Sequence, residues 1–267
     1  MCEGRSSKVR HQTIIELLST QGQVYVQELA KHFNVAQETI RRDLSKLETQ
    51  KLLKKVHGGA VNIQSKFERN FTERAQAAVD EKKAIAAKAA ELIKPGDTLF
   101  IDFGTTTFEF SQRIKLIDNL TVITNSPLLA NTLQENVTIE TILIGGQFNA
   151  VQNACLGAIA LKNIAEFFAD YAVIGAGAIH ALHGVMDQHV DEAAIAQKMM
   201  ENSDKLMVLA DGTKANKHAI NFVTSWDNID YLVTTSKEFK LPENKKHPKT
   251  KIIVADVESA LIFIIQL

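Results

Sequence analysis

The chain has 267 residues, 45% apolar and 23% charged, which is ordinary globular composition with length for one small and one medium domain. Its two cysteines, Cys2 and Cys155, lie far apart with no C-x-x-C spacing, so neither a disulfide framework nor a zinc site is expected. No apolar run reaches the roughly 18 to 20 residues of a membrane span, and the start MCEGRSSKVR lacks the apolar stretch of a signal peptide, so a cytoplasmic protein with no membrane partner is expected.

The net charge of −1 conceals a split. Residues 1–60 carry 10 Lys/Arg against 6 Asp/Glu, and the rest carry 20 against 25, a basic head on an acidic body. In the head, Val9, Ile14, Leu17 and Leu18 predict a first helix over 9–18, Gly22 breaks the chain, and Leu29, Ala30 and Phe33 mark a second over 26–33. Residues 24–26 suit a short strand. A third helix opens near Ala36, where Ile40, Leu44 and Leu47 at i, i+4, i+7 fix the buried face, leaving Glu38, Arg42 and Ser45 outward with Arg41 and Lys46 beside them. Residues 52–56 and 60–63 are strand-like, with Lys54, Lys55 and His57 near a turn that Gly58 and Gly59 permit.

Three helices with the basic one last, followed by a basic two-strand wing, predict a winged helix-turn-helix that binds DNA. The residues expected at the DNA are Gln37, Glu38, Thr39, Arg41, Arg42, Ser45, Lys46, Lys54, Lys55, His57, Gly58 and Gly59. The alternative is a helical module whose basic face is merely solvated. The domain boundaries expected are 1–61 for the head, 62–78 for a polar linker anchored only by Phe67 and Phe71, and 79–267 for an effector-sensing and oligomerisation domain.

A helical pattern resumes at Asp80, carries Lys82, Ile85, Ala86, Ala89 and Ile93, and stops at Pro95-Gly96. Beyond it, β-rich runs at 98–103, 121–124, 140–144, 171–175, 205–210, 231–234 and 251–255 alternate with helical patterns at 107–115, 127–135, 158–168, 191–202 and 227–229. That alternation predicts an α/β fold with a mostly parallel sheet, whose ligands bind at the carboxyl ends of the strands. The residues there are Asp102 with Gly104, Thr105, Thr106 and Thr107, then Thr124 and Asn125, Gly145 and Gly146, Gly175, and Asp211 with Lys214. The glycine turn into a helix start at 104–107 offers backbone N–H groups and hydroxyls to an anion, although the same motif serves as an ordinary N-cap. Lys214 offers a cation beside the Asp211 carboxylate, although such a pair taken alone also suits a surface loop. Glu192, at the start of a helix, suits its positive end.

His180, His183 and His189 lack the spacing of a helical metal-ligand pair, and no metal or cofactor is expected. No G-x-S-x-G elbow and no Walker motif occurs, which leaves hydrolase and nucleotide-driven readings unsupported. The run at 260–266, ALIFIIQ, suits a last buried strand or an oligomer contact.

These residues resemble the DeoR-type bacterial sugar-metabolism repressors over almost the whole chain. Glu28-Leu29-Ala30, Thr39-Ile40-Arg41-Arg42-Asp43-Leu44 and His57-Gly58-Gly59-Ala60 are similar to the family's DNA-binding signature. Glu81-Lys82, Ile85-Ala86, Asp102-x-Gly104-Thr105-Thr106, Thr124-Asn125, Gly145-Gly146, Gly157, Glu192-Ala193 and Asp211-x-x-Lys214 are similar to its sensor domain. The resemblance implies a body like ribose-5-phosphate isomerase and coenzyme A transferases. It also implies a homodimer or homotetramer released from operator DNA by a phosphorylated sugar or polyol.

Ala130-Asn131-Thr132-Leu133 and Glu201-Asn202-Ser203 are similar to members governing glycerol 3-phosphate use, which makes that compound the expected effector. Three positions depart from the pattern: Ala36 replaces the usual serine, Gly212-Thr213 replaces paired serines, and 147–153 lacks an arginine. The rival reading is a sugar-phosphate isomerase or transferase with Glu192 or Asp211 as base and a DNA-binding head attached.

Overall fold

The apolar spacing that sets the first three helices also sets what they bury. In the computed structural model, which describes residues 7–21, 23–50, 52–56, 58–61, 71–241 and 249–258, the chain divides into two units between Arg69 and Asn70. The first unit holds α1 (Ser7–Gln21), β1 (Gln23–Tyr25), α2 (Val26–Phe33), α3 (Gln37–Thr49), β2 (Lys54–Val56) and β3 (Gly59–Val61). Ile14 and Leu18 of α1, Leu29 of α2 and Ile40, Leu44 and Leu47 of α3 close into one core, as their i, i+4 spacing requires. β3 lies between β1 and β2, antiparallel to both, so the strand expected at 24–26 does pair with the wing, one residue earlier than its sequence pattern placed it.

One apolar residue of α1 faces outward. Val9 is 50% exposed, and Arg10 is buried in its place. Positions 10, 14 and 18 share one helical stripe, and position 9 lies about 100° away from it.

The second unit opens with α4 (Phe71–Gln76) and α5 (Val79–Ala90). There follow β4 (Thr98–Ile101), α6 (Thr105–Ile114), β5 (Thr121–Thr124), α7 (Pro127–Leu133), β6 (Glu140–Leu143), β7 (Gln147–Asn149), β8 (Ala154–Leu156) and α8 (Gly157–Ile164). The chain continues through β9 (Ala169–Ile174), β10 (Ala178–His180), β11 (Gly184–Asp187), α9 (Val190–Glu201), β12 (Ser203–Ala210), β13 (Asn221–Thr224), β14 (Tyr231–Thr234) and β15 (Lys251–Val254).

All seven strands predicted in the body join one parallel sheet, in the order β15-β14-β12-β9-β4-β5-β6. Their side chains alternate between two cores: Leu99 and Ile101 pack with residues of α5, α6 and α7, whereas Phe100 packs with residues of α8 and α9. A sheet covered on both faces needs apolar residues at successive positions, which is why these strands stand out as continuous apolar runs.

The short antiparallel pieces went unpredicted. β7 pairs with β8, and β10-β11-β13 form a second small sheet, in strands of only three or four residues. The expected linker also differs from the structure. Residues 71–76 are helical, the Phe71 N–H donates to the Val151 carbonyl at 3.1 Å, and the Phe71 ring meets Phe108 edge-on at 6.1 Å. A six-residue helix is too short to show a periodic stripe, so its polar composition resembles a linker. The expected helix at 227–229 is a 3-10 turn over Trp226–Asn228.

Cys2, Gly22, His57, Phe67 and the run at 260–266 lie outside the described residues. Among those described, no helix is long and apolar enough to cross a membrane.

Candidate functional site

In the first unit, the helix α3 presents Gln37, Glu38, Arg41, Arg42 and Lys46 to solvent, with Thr39 and Ser45 half-buried beside them. The side chains of Arg41 and Arg42 are 59% and 78% exposed, and both approach Glu38, at 3.6 and 3.7 Å. Such exposed pairs contribute little and are readily exchanged for another anion. Ser45 is engaged otherwise than expected: its hydroxyl donates to the Arg41 carbonyl and accepts from Lys55 Nζ at 2.9 Å. The Lys55 amide donates to Glu48 at 2.8 Å, so strand β2 is tied to α3 at two points.

Gly58 has φ +79°, and a Cβ on Gly59 would stand 2.1 Å from the Val24 carbonyl oxygen, so neither position accepts an ordinary side chain. The wing turn therefore depends on both glycines. β2 includes Lys54, and His57 falls outside the described residues.

In this unit the expected site left out Asp43. It is 3% exposed, receives Arg10 Nε at 2.5 Å and lies 2.8 Å from His11 Nε2. Burial by itself would raise its carboxyl, but the hydrogen bonds and charges of Arg10 and His11 outweigh that and hold it below the usual aspartate value. The signal was present: positions 40, 43, 44 and 47 share the buried stripe of α3, as 10, 14 and 18 share that of α1.

Ala36 is the N-cap of α3 and makes no side-chain cap bond. Changing Ala36 to Ser is expected to stabilise the unit by about 1 kcal/mol, since serine's hydroxyl satisfies an open amide of the first turn. Thermal unfolding of the two chains measures this; equal midpoints would show that the first turn needs no cap.

In the second unit, the carboxyl ends of β12, β9, β4, β5 and β6 stand side by side, which brings Asp211, Gly175, Asp102, Asn125 and Gly145 to one edge of the sheet. Asp102 accepts the Gly175 N–H at 2.9 Å and is buried, at 7% exposure. Burial pushes its carboxyl up to about 8; the charge of Asp187 adds to the shift, and Gly175, Thr107 and Arg74 oppose it. α6 starts directly after Gly104 with no side-chain cap, so the amides of its first turn are open to an anion.

Thr105 and Thr106 are buried at that helix start, whereas the Thr107 hydroxyl is spent on the carbonyls of Asp102 and Gly104, at 3.1 and 3.2 Å. The Thr124 hydroxyl accepts the Ser126 N–H. Gly146 serves packing, since a Cβ there would stand 2.7 Å from the Leu156 carbonyl oxygen. Glu192 is buried in the first turn of α9.

Three cations gather at this edge, and two of them were absent from the expected site. Lys82 of α5 is 4% exposed and donates to the carbonyls of Arg74 and Ala77. Burial pulls its ammonium below the ordinary lysine range; Lys214 and Arg74 push the same way, and Asp211 and Glu109 oppose them. Arg74 of α4 is held by Gln152 at 2.5 Å, within the segment that lacks the family's arginine. Asp211 binds the amide and hydroxyl of Thr213, and Glu81 takes the Gly212 amide at 2.9 Å, which shapes the turn carrying Lys214. Cations that raise one another's energy are relieved by a nearby negative charge. The expected site left out Arg74 because it lay in the expected linker, and Lys82, although part of the sensor-domain resemblance, because an i, i+3 position on α5 looks structural.

Elsewhere the rings of His180, His183 and His218 stack 4.3 to 5.3 Å apart. His189, the third histidine of that stretch of sequence, is instead the N-cap of α9. Among the described residues, no group of three His, Cys, Asp or Glu is arranged to hold a metal ion.

Comparison with known proteins agrees with this division. The DeoR-like helix-turn-helix domain matches residues 10–66, and the DeoR C terminal sensor domain matches residues 77–236. The glycerol-3-phosphate regulon repressor of Escherichia coli K12 is 34% identical over 225 residues, covering 84% of this chain and 89% of that one. Its namesake in Haemophilus influenzae is 29% identical, covering 93% and 97%. Among solved structures, ribose 5-phosphate isomerase A of Methanocaldococcus jannaschii overlays 52% of this chain and 55% of its own with 16% identity and a TM-score of 0.39, too partial an overlay to inform chemistry.

Proposed function

The chain belongs to the DeoR family of transcriptional regulators, and from that premise we propose that it is a repressor of a carbohydrate or glycerol catabolic operon, released from its operator by a phosphorylated sugar or polyol. The observation that carries this reading is the grouping of Arg74, Lys82 and Lys214 beside the uncapped start of α6, a place for a phosphate dianion. Glycerol 3-phosphate is the effector best supported, through the relatives named for its regulon. The protein acts in the cytoplasm as a homodimer or homotetramer on repeated half-sites.

In this reading Arg41, Arg42 and Lys46 meet phosphates and base edges, and the wing adds Lys54 and Lys55. An effector shifts the repressor only if it binds one arrangement more tightly than the other, since equal affinity moves nothing. A mobility shift of operator DNA, with and without a panel of sugar and polyol phosphates, tests the whole scheme; operator affinity unchanged by every phosphate would overturn it.

Arg42→Ala is expected to weaken operator binding by roughly 1 to 3 kcal/mol if the guanidinium reads a base, and to reduce the salt slope by about 1 if it meets phosphate. Binding measured at several salt concentrations separates the two. An unchanged affinity and slope would remove Arg42 from the interface.

A further inference from the structure

Two buried oxygens at the carboxyl edge of the sheet have no hydrogen-bond partner, Oδ1 of Asp102 and Oδ1 of Asn125. Their surroundings fix which atoms these are. Nδ2 of Asn125 donates to the Cys155 carbonyl at 3.0 Å, so the oxygen is the atom turned away. Oδ2 of Asp102 already accepts the Gly175 N–H, which leaves Oδ1.

The two residues are neighbours by register. Ile101 pairs with Thr124 across β4 and β5, and Asp102 and Asn125 each come next. Alternation along the strands places both on the face of Phe100 and Ile123. Adjacent strands lie roughly 4.8 Å apart, a gap that two hydroxyls on neighbouring carbons can bridge when each bonds one oxygen. Gly104 and Gly175 flank the Asp102 carboxyl, and a Cβ built on either would stand 3.8 Å from it, so no side chain intervenes there.

A buried polar atom without a partner raises the free energy, and a ligand group that supplies the missing bond lowers it again. We propose that Asp102 and Asn125 are the specificity-determining pair of the effector site and read two neighbouring hydroxyls, so that the effector is a phosphorylated vicinal diol. The inference rests on the phosphate site proposed above and names the part of the molecule beyond the phosphate. A phosphate ester with a methylene in place of one hydroxyl leaves an oxygen unpaired and is rejected.

Protonation refines the discrimination. The groups facing the Asp102 carboxyl are Asp187 on β11, Arg74 on α4, the Gly175 amide just after β9 and Thr107 on α6. Below about pH 8 the Asp102 carboxyl carries a proton, which falls on Oδ1 because Oδ2 accepts an amide, and it donates; above that pH it only accepts. A hydroxyl suits both states, and a carbonyl suits only the first.

Calorimetric titration of the full chain at pH 7 with inorganic phosphate, glycerol 3-phosphate, 3-hydroxypropyl phosphate and dihydroxyacetone phosphate tests the pair. Glycerol 3-phosphate is expected to bind at least about tenfold more tightly than 3-hydroxypropyl phosphate, which lacks the middle hydroxyl. Between pH 7 and 9 dihydroxyacetone phosphate is expected to weaken relative to glycerol 3-phosphate, and Asp102→Asn, which keeps a donor at every pH, is expected to abolish that change. Diol and deoxy compound binding within about threefold of one another overturns the paired reading and leaves the phosphate site standing, whereas failure of every phosphate to bind overturns both. The unmodified chain decides between these outcomes, so the test does not depend on the variant folding.

Discussion

Asp43→Ala is expected to unfold the DNA-binding unit and abolish operator binding while the α/β unit still melts at its original temperature. Asp43 is buried against a buried arginine, and removing one member of such a pair costs roughly 3 to 5 kcal/mol because the other charge loses its compensation. A single small core of this size rarely supplies more than about 3 to 5 kcal/mol in total, so the loss is comparable to the whole stability of the unit. Calorimetric melting of the full chain reads both units at once. A variant that retained both transitions and full operator affinity would show that the ion pair is dispensable.

The same pair gives an acid limb. The Asp43 carboxyl is lower in the folded state than in the unfolded chain, so the folded state binds fewer protons. Its stabilisation is complete above the ordinary aspartate value of about 4 and is lost as pH falls through the lower folded value. Acid titration of the melting point should show this limb in the parent chain.

Lys82→Met should lower the affinity for a phosphorylated effector by roughly 100-fold, since a buried hydrogen-bonded cation paired with a phosphate contributes about 2 to 5 kcal/mol. Release from operator would then need correspondingly more effector. The exchange also removes donors from the Arg74 and Ala77 carbonyls, so part of any loss reflects the placement of α4. Lys214→Ala separates the contributions, because it removes a neighbouring charge without touching those carbonyls. Equal effector affinity in both variants and the parent would place the phosphate elsewhere.

Much of the architecture is legible in the order of the amino acids. Ile40, Leu44 and Leu47 define the buried side of α3 by spacing alone, and Arg41 and Arg42 have to lie outside it. The seven parallel strands are visible because a sheet covered on both faces demands unbroken apolar runs. The strand-end rule then points to Asp102, Asn125, Gly175, Asp211 and Lys214 without reference to their neighbours in space.

Other features depend on contacts between residues far apart in the chain. Arg10 and Asp43 are separated by 33 positions, and each alone reads as an ordinary surface charge; only packing α1 against α3 turns them into a buried pair. Arg74 belongs to a helix too short to have a period, and its place is set by Gln152, 78 positions away. Local sequence determined which residues turn inward and where strands end, because periodicity and turn chemistry act over a few residues. The tertiary structure decided which charges meet and which buried oxygens lack partners, because those depend on how distant strands and helices are brought together.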